Sequence, residues 1–176
     1  MASSKEIKEI KEGLQSSEEV LNAKALTKVR TKGDASLLPD LINLWAATDA
    51  QSTKKEIESI LFGLKDKEAL HTLIGYIQTE VSDDRIWLAL NAIWQSGYDA
   101  SEHLGDLIEF AISNTYTNAI DVMTIIDNSE FTEADDQMVN THLRKLNDFM
   151  LKNSKSDNLQ VLLEIKSILI DKKIEG

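Results

Sequence analysis

The chain has 176 residues, 42% hydrophobic and 28% charged, with no cysteine and a formal net charge of −11. That length accommodates one domain with a filled core, and the missing cysteines exclude a disulfide framework, a thiolate metal site and a cysteine nucleophile. Thirteen acidic residues fall between Glu80 and Asp136 against one base, Arg85; a surface of that sign repels polyphosphate, so no nucleic-acid partner is expected.

The N-terminal "MASSKEIKEIKEG" carries charges at every turn, which does not suit a secretory signal, and Ala2 breaks the N-myristoylation pattern. One proline and seven glycines leave few backbone breakers, and apolar residues recur every three or four positions, the signature of amphipathic helices. Ten helices are predicted, near 3–13, 17–31, 36–47, 52–64, 67–80, 84–96, 101–113, 118–128, 133–152 and 157–173. Starts are expected at capping boxes, Ser3 with Glu6, Ser16 with Glu19, Thr132 with Asp135 and Ser154 with Asp157. Stops are expected at Gly13, Gly33 and Gly97, where a left-handed glycine ends a helix at little cost. The segment 71–81 is rich in β-branched residues that suit a strand, but its place in the repeat described next predicts a helix. The longest uncharged run, residues 86–98, is well short of the roughly 20 residues of a membrane span. A soluble, cytoplasmic protein with no membrane partner is expected.

An apolar signature returns along the chain. Leu38, Leu41, Ile42 and Trp45 correspond to Leu70, Leu73, Ile74 and Ile77, then to Leu104, Leu107, Ile108 and Ala111, and more faintly to Val139, His142, Leu143 and Leu146. The helices before each copy correspond too, through Ile57, Ile60 and Leu61, then Ala89, Ala92 and Ile93, then Val122, Ile125 and Ile126. One helix pair cannot bury such a face alone, so successive pairs must share a core. The predicted fold is all-α, an α-solenoid of about four antiparallel helix pairs, 17–47, 52–80, 84–113 and 118–152. Single helices 3–13 and 157–173 flank them, and residues 1–176 form a single domain.

Within "GDASLLPDLINLW", Gly33 and Asp34 turn the chain, Ser36 can cap the next helix, and Pro39 sits in its first turn, where a missing N–H does no harm. This stretch resembles the second half of a HEAT repeat, particularly the HEAT-like type of phycobilisome lyases, most closely over residues 33–44. "SDDRIWLALNAIW", with Arg85 after Asp83 and Asp84, is similar to that family's first-helix opening. Pro39 is replaced by His71 and Gly105 in the other copies. The resemblance implies protein–protein contact, with second helices lining a concave side.

The histidines His71, His103 and His142 have no cysteine or second histidine within reach along a helix face. Asp99, His103 and Asp106 would share a face of a continuous helix, but histidine beside carboxylates on an acidic helix reads as surface, and no metal is expected. Asp83–Asp84 and Asp135–Asp136 sit at helix starts, where negative charge complements exposed N–H groups. No Gly-rich phosphate loop or catalytic constellation is present, so no cofactor, no catalytic residue and no enzymatic activity are expected.

Two features point to contact. The helix "RIWLALNAIW" is apolar nearly all round and must be buried on several sides or expose a sticky patch, with Trp87 and Trp94 seven apart on one side. In the next helix Glu102, Asp106 and Glu109 follow i, i+4, i+7 spacing and form an acidic stripe. The expected function is a non-enzymatic interaction or adaptor module whose acidic groove receives the basic segment of a protein partner. The alternatives are a homo-oligomer joined through the Trp87–Trp94 region and a HEAT-like enzyme such as a lyase.

Overall fold

The computed structural model describes residues 3–175, and for residues 174 and 175 the backbone alone. The described residues form α1 (Ser4–Leu14), α2 (Glu19–Lys32), α3 (Leu38–Ala47), α4 (Gln51–Phe62), α5 (Lys67–Thr79), α6 (Asp83–Gln95), α7 (Leu104–Ser113), α8 (Tyr116–Asn128), α9 (Asp136–Lys152) and α10 (Leu159–Glu175), with no strand among them. Single 3-10 turns, Ala35–Leu37, Ser101–His103 and Glu133–Asp135, lead into α3, α7 and α9. The β-branched segment 71–81 is helical to Thr79. No helix among the described residues is long and apolar enough to cross a membrane.

The chain divides into two compact units, Met1–Ser96 and Gly97–Gly176. In the first, α1 packs on α2 and α3, α2 on α4, α3 on α4 and α5, and α6 on α3, α4 and α5. In the second, α8 packs against both α7 and α10, and α9 against α7 and α10. Every recurring position of α4, α6 and α8 is buried, from Ile57, Ile60 and Leu61 to Val122, Ile125 and Ile126. So are all four in α5 and in α7, whereas Trp45 in α3 and His142 and Leu143 in α9 are half-buried. Consecutive helices approach each other most tightly as α1–α2, α3–α4, α5–α6, α7–α8 and α9–α10. The two terminal helices are members of these tight pairs.

A period of 32 to 33 residues also sets the turns. Asp34 accepts from the Ser36 N–H (3.0 Å), Asp66 from the Glu68 N–H (3.0 Å) and Asp99 from the Ser101 N–H (3.1 Å), each just before α3, α5 and α7 respectively. An aspartate in this role satisfies an N–H that the helix start leaves without a partner. Ser36 is therefore not the cap expected of it; Asp34 is. The boxes Ser3–Glu6 and Thr132–Asp135 form as expected. The other two do not. Ser16 accepts from the Glu18 N–H and Ser156, not Ser154, from the Asn158 N–H, because α2 and α10 start later than the spacing suggested.

Of the three glycines read as left-handed stops, only Gly97 has positive φ, 65°. Gly33 is extended, at φ −68° and ψ 158°. Gly13 lies inside α1, and a Cβ there would stand 2.8 Å from the Ala25 Cβ of α2. It serves close approach between helices instead of termination. The carbonyls left over at the end of α1 are taken by buried Asn22, whose side-chain amide donates to Gly13 O (2.9 Å) and Ser16 O (3.0 Å). Buried Asn158 does the same in the second unit, donating to Ala111 O (2.9 Å) and Asn114 O (2.8 Å) beside the end of α7. In the first unit, the buried Asp40 carboxylate ties α1 to α3 by accepting from Gln15 Nε2 (2.7 Å) and pairing with Lys11 Nζ (3.3 Å).

These contacts give a direct test. Alanine in place of glycine inside a helix should stabilise by up to about 1 kcal/mol, but at Gly13 the new methyl meets the facing backbone-bound Cβ of Ala25. Gly13→Ala is expected to lower stability by about 1–2 kcal/mol through overpacking, read by urea denaturation. A stabilised variant would contradict the close approach.

Candidate functional site

In the first unit the packing of α6 decides what remains exposed. Ile86, Leu88, Ala89, Leu90, Ala92 and Ile93 are each at most 2% exposed, turned into α3, α4 and α5. What is left is a stripe at i, i+3, i+7 and i+10 spacing: Asp84, Trp87, Asn91 and Trp94. Trp87 is 40% exposed and Trp94 37%.

The rings are held. Asn91 Nδ2 donates to the Trp87 carbonyl (2.9 Å), and its Oδ1 accepts from Trp94 Nε1 (3.3 Å). Trp87 lies 5.9 Å from half-buried Trp45 of α3, ring centre to ring centre, at a tilt of 34°. Trp45 Nε1 donates to Glu58 Oε1 of α4 (2.9 Å), and Lys54 of the same helix places its ammonium 4.5 Å from the Trp45 ring centre. Trp45 counted among the core positions of the repeat in the sequence. What the sequence reading missed was that Lys54 and Glu58, four apart on α4, share a face that meets this ring.

The start of α6 is fixed by Glu80. Its Oε1 accepts from the Val81 (2.8 Å) and Ser82 (2.9 Å) N–H groups, and its Oε2 accepts from the Tyr76 hydroxyl (2.8 Å) and faces Arg85 Nη1 at 3.5 Å. Burial alone would raise this carboxyl. The donated hydrogen bonds and the guanidinium outweigh it and hold the pKa at about 2. Burial, then the bond to Glu80, keeps the Tyr76 hydroxyl well above the usual tyrosine range. The arrangement engages the one base of α6, while Asp83 and Asp84 stay exposed.

In the second unit the acidic stripe is interrupted. Glu102 belongs to the 3-10 turn Ser101–His103, so only Asp106 and Glu109 lie on α7 itself. His103 Nδ1 is 3.4 Å from Asp106 Oδ2, and Lys145 of α9 pairs with Glu109. Glu102 on the turn and Asp106 and Glu109 on α7 are all exposed. Asp99 turns to Ser101 and to the Glu130 N–H (3.1 Å), away from a shared helix face with His103 and Asp106. Among the described residues no group of three or more histidines or carboxylates stands ready for a metal. His142 packs over Gly105, where a Cβ would meet its ring at 2.8 Å, and burial, then Lys145, lowers its pKa.

No protein-family model matches the chain, and no curated protein and no solved structure matches it either. None of these comparisons identifies a HEAT-like repeat family.

The Glu80 cluster predicts an acid limb. The folded-state pKa of Glu80 lies below its ordinary value of 4.5, so its contribution is complete above that pH and lost as the pH falls toward about 2. Glu80→Gln should lower the melting temperature at pH 7 and flatten the melting curve's pH dependence across that window. An unchanged slope would show that the cluster does not bear on stability.

Proposed function

We propose that the chain is a non-enzymatic protein-interaction module, an α-solenoid of HEAT-like helix pairs that captures a partner on the exposed tryptophan stripe of α6. The observation that carries this reading is that Trp87 and Trp94 are 40% and 37% exposed, with the Trp94 ring held by Asn91 through its indole N–H and the Trp87 ring set against Trp45. Exposed tryptophans are costly to leave in water, and aromatic anchors of this kind dominate binding energy at interfaces. Ordering them beforehand lowers the entropy lost on association. The recurring apolar positions, buried within each unit, support the solenoid reading. Glu102, Asp106 and Glu109 contribute a long-range field that draws a basic partner toward the protein, weakened where Lys145 neutralises Glu109.

Capture of partners from native lysate, compared between wild type and the Trp87→Ala/Trp94→Ala variant, tests the module. Captured proteins should fall at least about tenfold, the loss expected when two interface anchors are truncated. Neutralising Glu102, Asp106 and Glu109 should slow capture and reduce its dependence on salt, with a smaller effect on the lifetime of the complex. Equal capture by the double tryptophan variant would end this reading. A wild-type dimer seen by light scattering and dissolved by the same two substitutions would favour the homo-oligomer.

A further inference from the structure

Resting on the interaction-module reading, we propose that the α6 stripe is an arginine-recognition face, taking a partner segment in polyproline-II conformation that lays one guanidinium on Trp87 and a second on Trp94. The protein already places a cation against this aromatic cluster: Lys54 sits over Trp45, which in turn contacts Trp87. The exposed charges one turn before Trp87 are acidic, while Lys54 lies over Trp45. Asp84 precedes Trp87 by three residues and Asp83 by four, both exposed, and Arg85 is engaged by Glu80.

A purely apolar occupant would strip water from Asp83 and Asp84 without replacing it, and an anionic one would be repelled. A cation over an indole face meets neither penalty. Guanidinium fits better than ammonium because it is planar, weakly hydrated and able to stack on a ring while its edge hydrogen-bonds a carboxylate one turn away. Asn91 acts as a positioning residue, latching the Trp94 indole N–H so that the ring does not sample other rotamers. Spacing adds a further constraint. Trp87 and Trp94 are seven residues apart on a helix, roughly 10 Å at 1.5 Å per residue, which three residues of a polyproline-II chain span at about 3.1 Å each while returning the side chain to the same face. The segment recognised therefore carries arginine at every third position.

All three tryptophans of the chain belong to this cluster, so intrinsic fluorescence reads the site alone. The probe is the peptide acetyl-Arg-Gly-Ser-Arg-Gly-Ser-Arg-amide, titrated into the full chain beside analogues with lysine, glutamate or leucine replacing arginine and one with the arginines adjacent. The arginine peptide is expected to give a saturable change, with the lysine analogue and the adjacent-arginine analogue each about fivefold weaker and the glutamate and leucine analogues without effect. Trp94→Ala should weaken binding about tenfold, Trp94→Phe much less, and Asn91→Ala about threefold, with helical content unchanged by circular dichroism. Binding of the glutamate or leucine peptide as tight as that of arginine, or arginine binding indifferent to both Trp87→Ala and Trp94→Ala, would overturn the assignment. A chain that ignores the arginine peptide yet loses its lysate partners on the double tryptophan substitution would overturn it too, leaving the module reading in place.

Discussion

The first unit depends on the enclosure of one apolar helix. The residues of α6 from Ile86 to Ile93 would be insoluble as a surface, and α3, α4 and α5 close over three sides of it. With those sides occupied, the remaining stripe is determined by helix geometry alone. Trp87 and Trp94 face outward because the six smaller apolar residues face inward. The exposure of two large aromatic rings is thus a product of the packing that stabilises the unit, with Asn91 bonded to the Trp94 indole and Trp45 beside the Trp87 ring.

Polar groups follow the same economy. Helix ends leave carbonyls and N–H groups that burial would otherwise penalise by about 1–3 kcal/mol each. The structure answers with asparagine at carbonyl ends, Asn22 and Asn158, and with aspartate at N–H ends, Asp34, Asp66 and Asp99. Ser129 adds a link of this kind, accepting from the Ala100 N–H at 3.2 Å while donating to Ile125 O.

The helices and most of their buried faces were legible in the sequence, since three- and four-residue spacing is a property of the chain itself. What was not legible depended on neighbours. Asp40 and Asp106 occupy the same place in the related stretches "LPDLI" and "LGDLI". Yet Asp40 is buried under Gln15 and Lys11, whereas Asp106 is exposed beside His103. Nothing local separates them; the difference is that α1 packs on α3. Gly13 misled for the same reason, a glycine after an apolar run being an ordinary stop signal until Ala25 is seen against it. Of the candidate contact residues, Trp87 and Trp94 could be read from their seven-residue spacing, while the Trp45–Lys54–Glu58 group needed two separate helices to meet.

Asn158 has a consequence for how the second unit is made. Its amide closes carbonyls at 111 and 114, more than forty positions back, and the helix it precedes covers α8 and α9. Until α10 docks, α7 holds its last turn unfinished and one side of α8 stays wet, so closure of this half couples elements that are far apart along the chain.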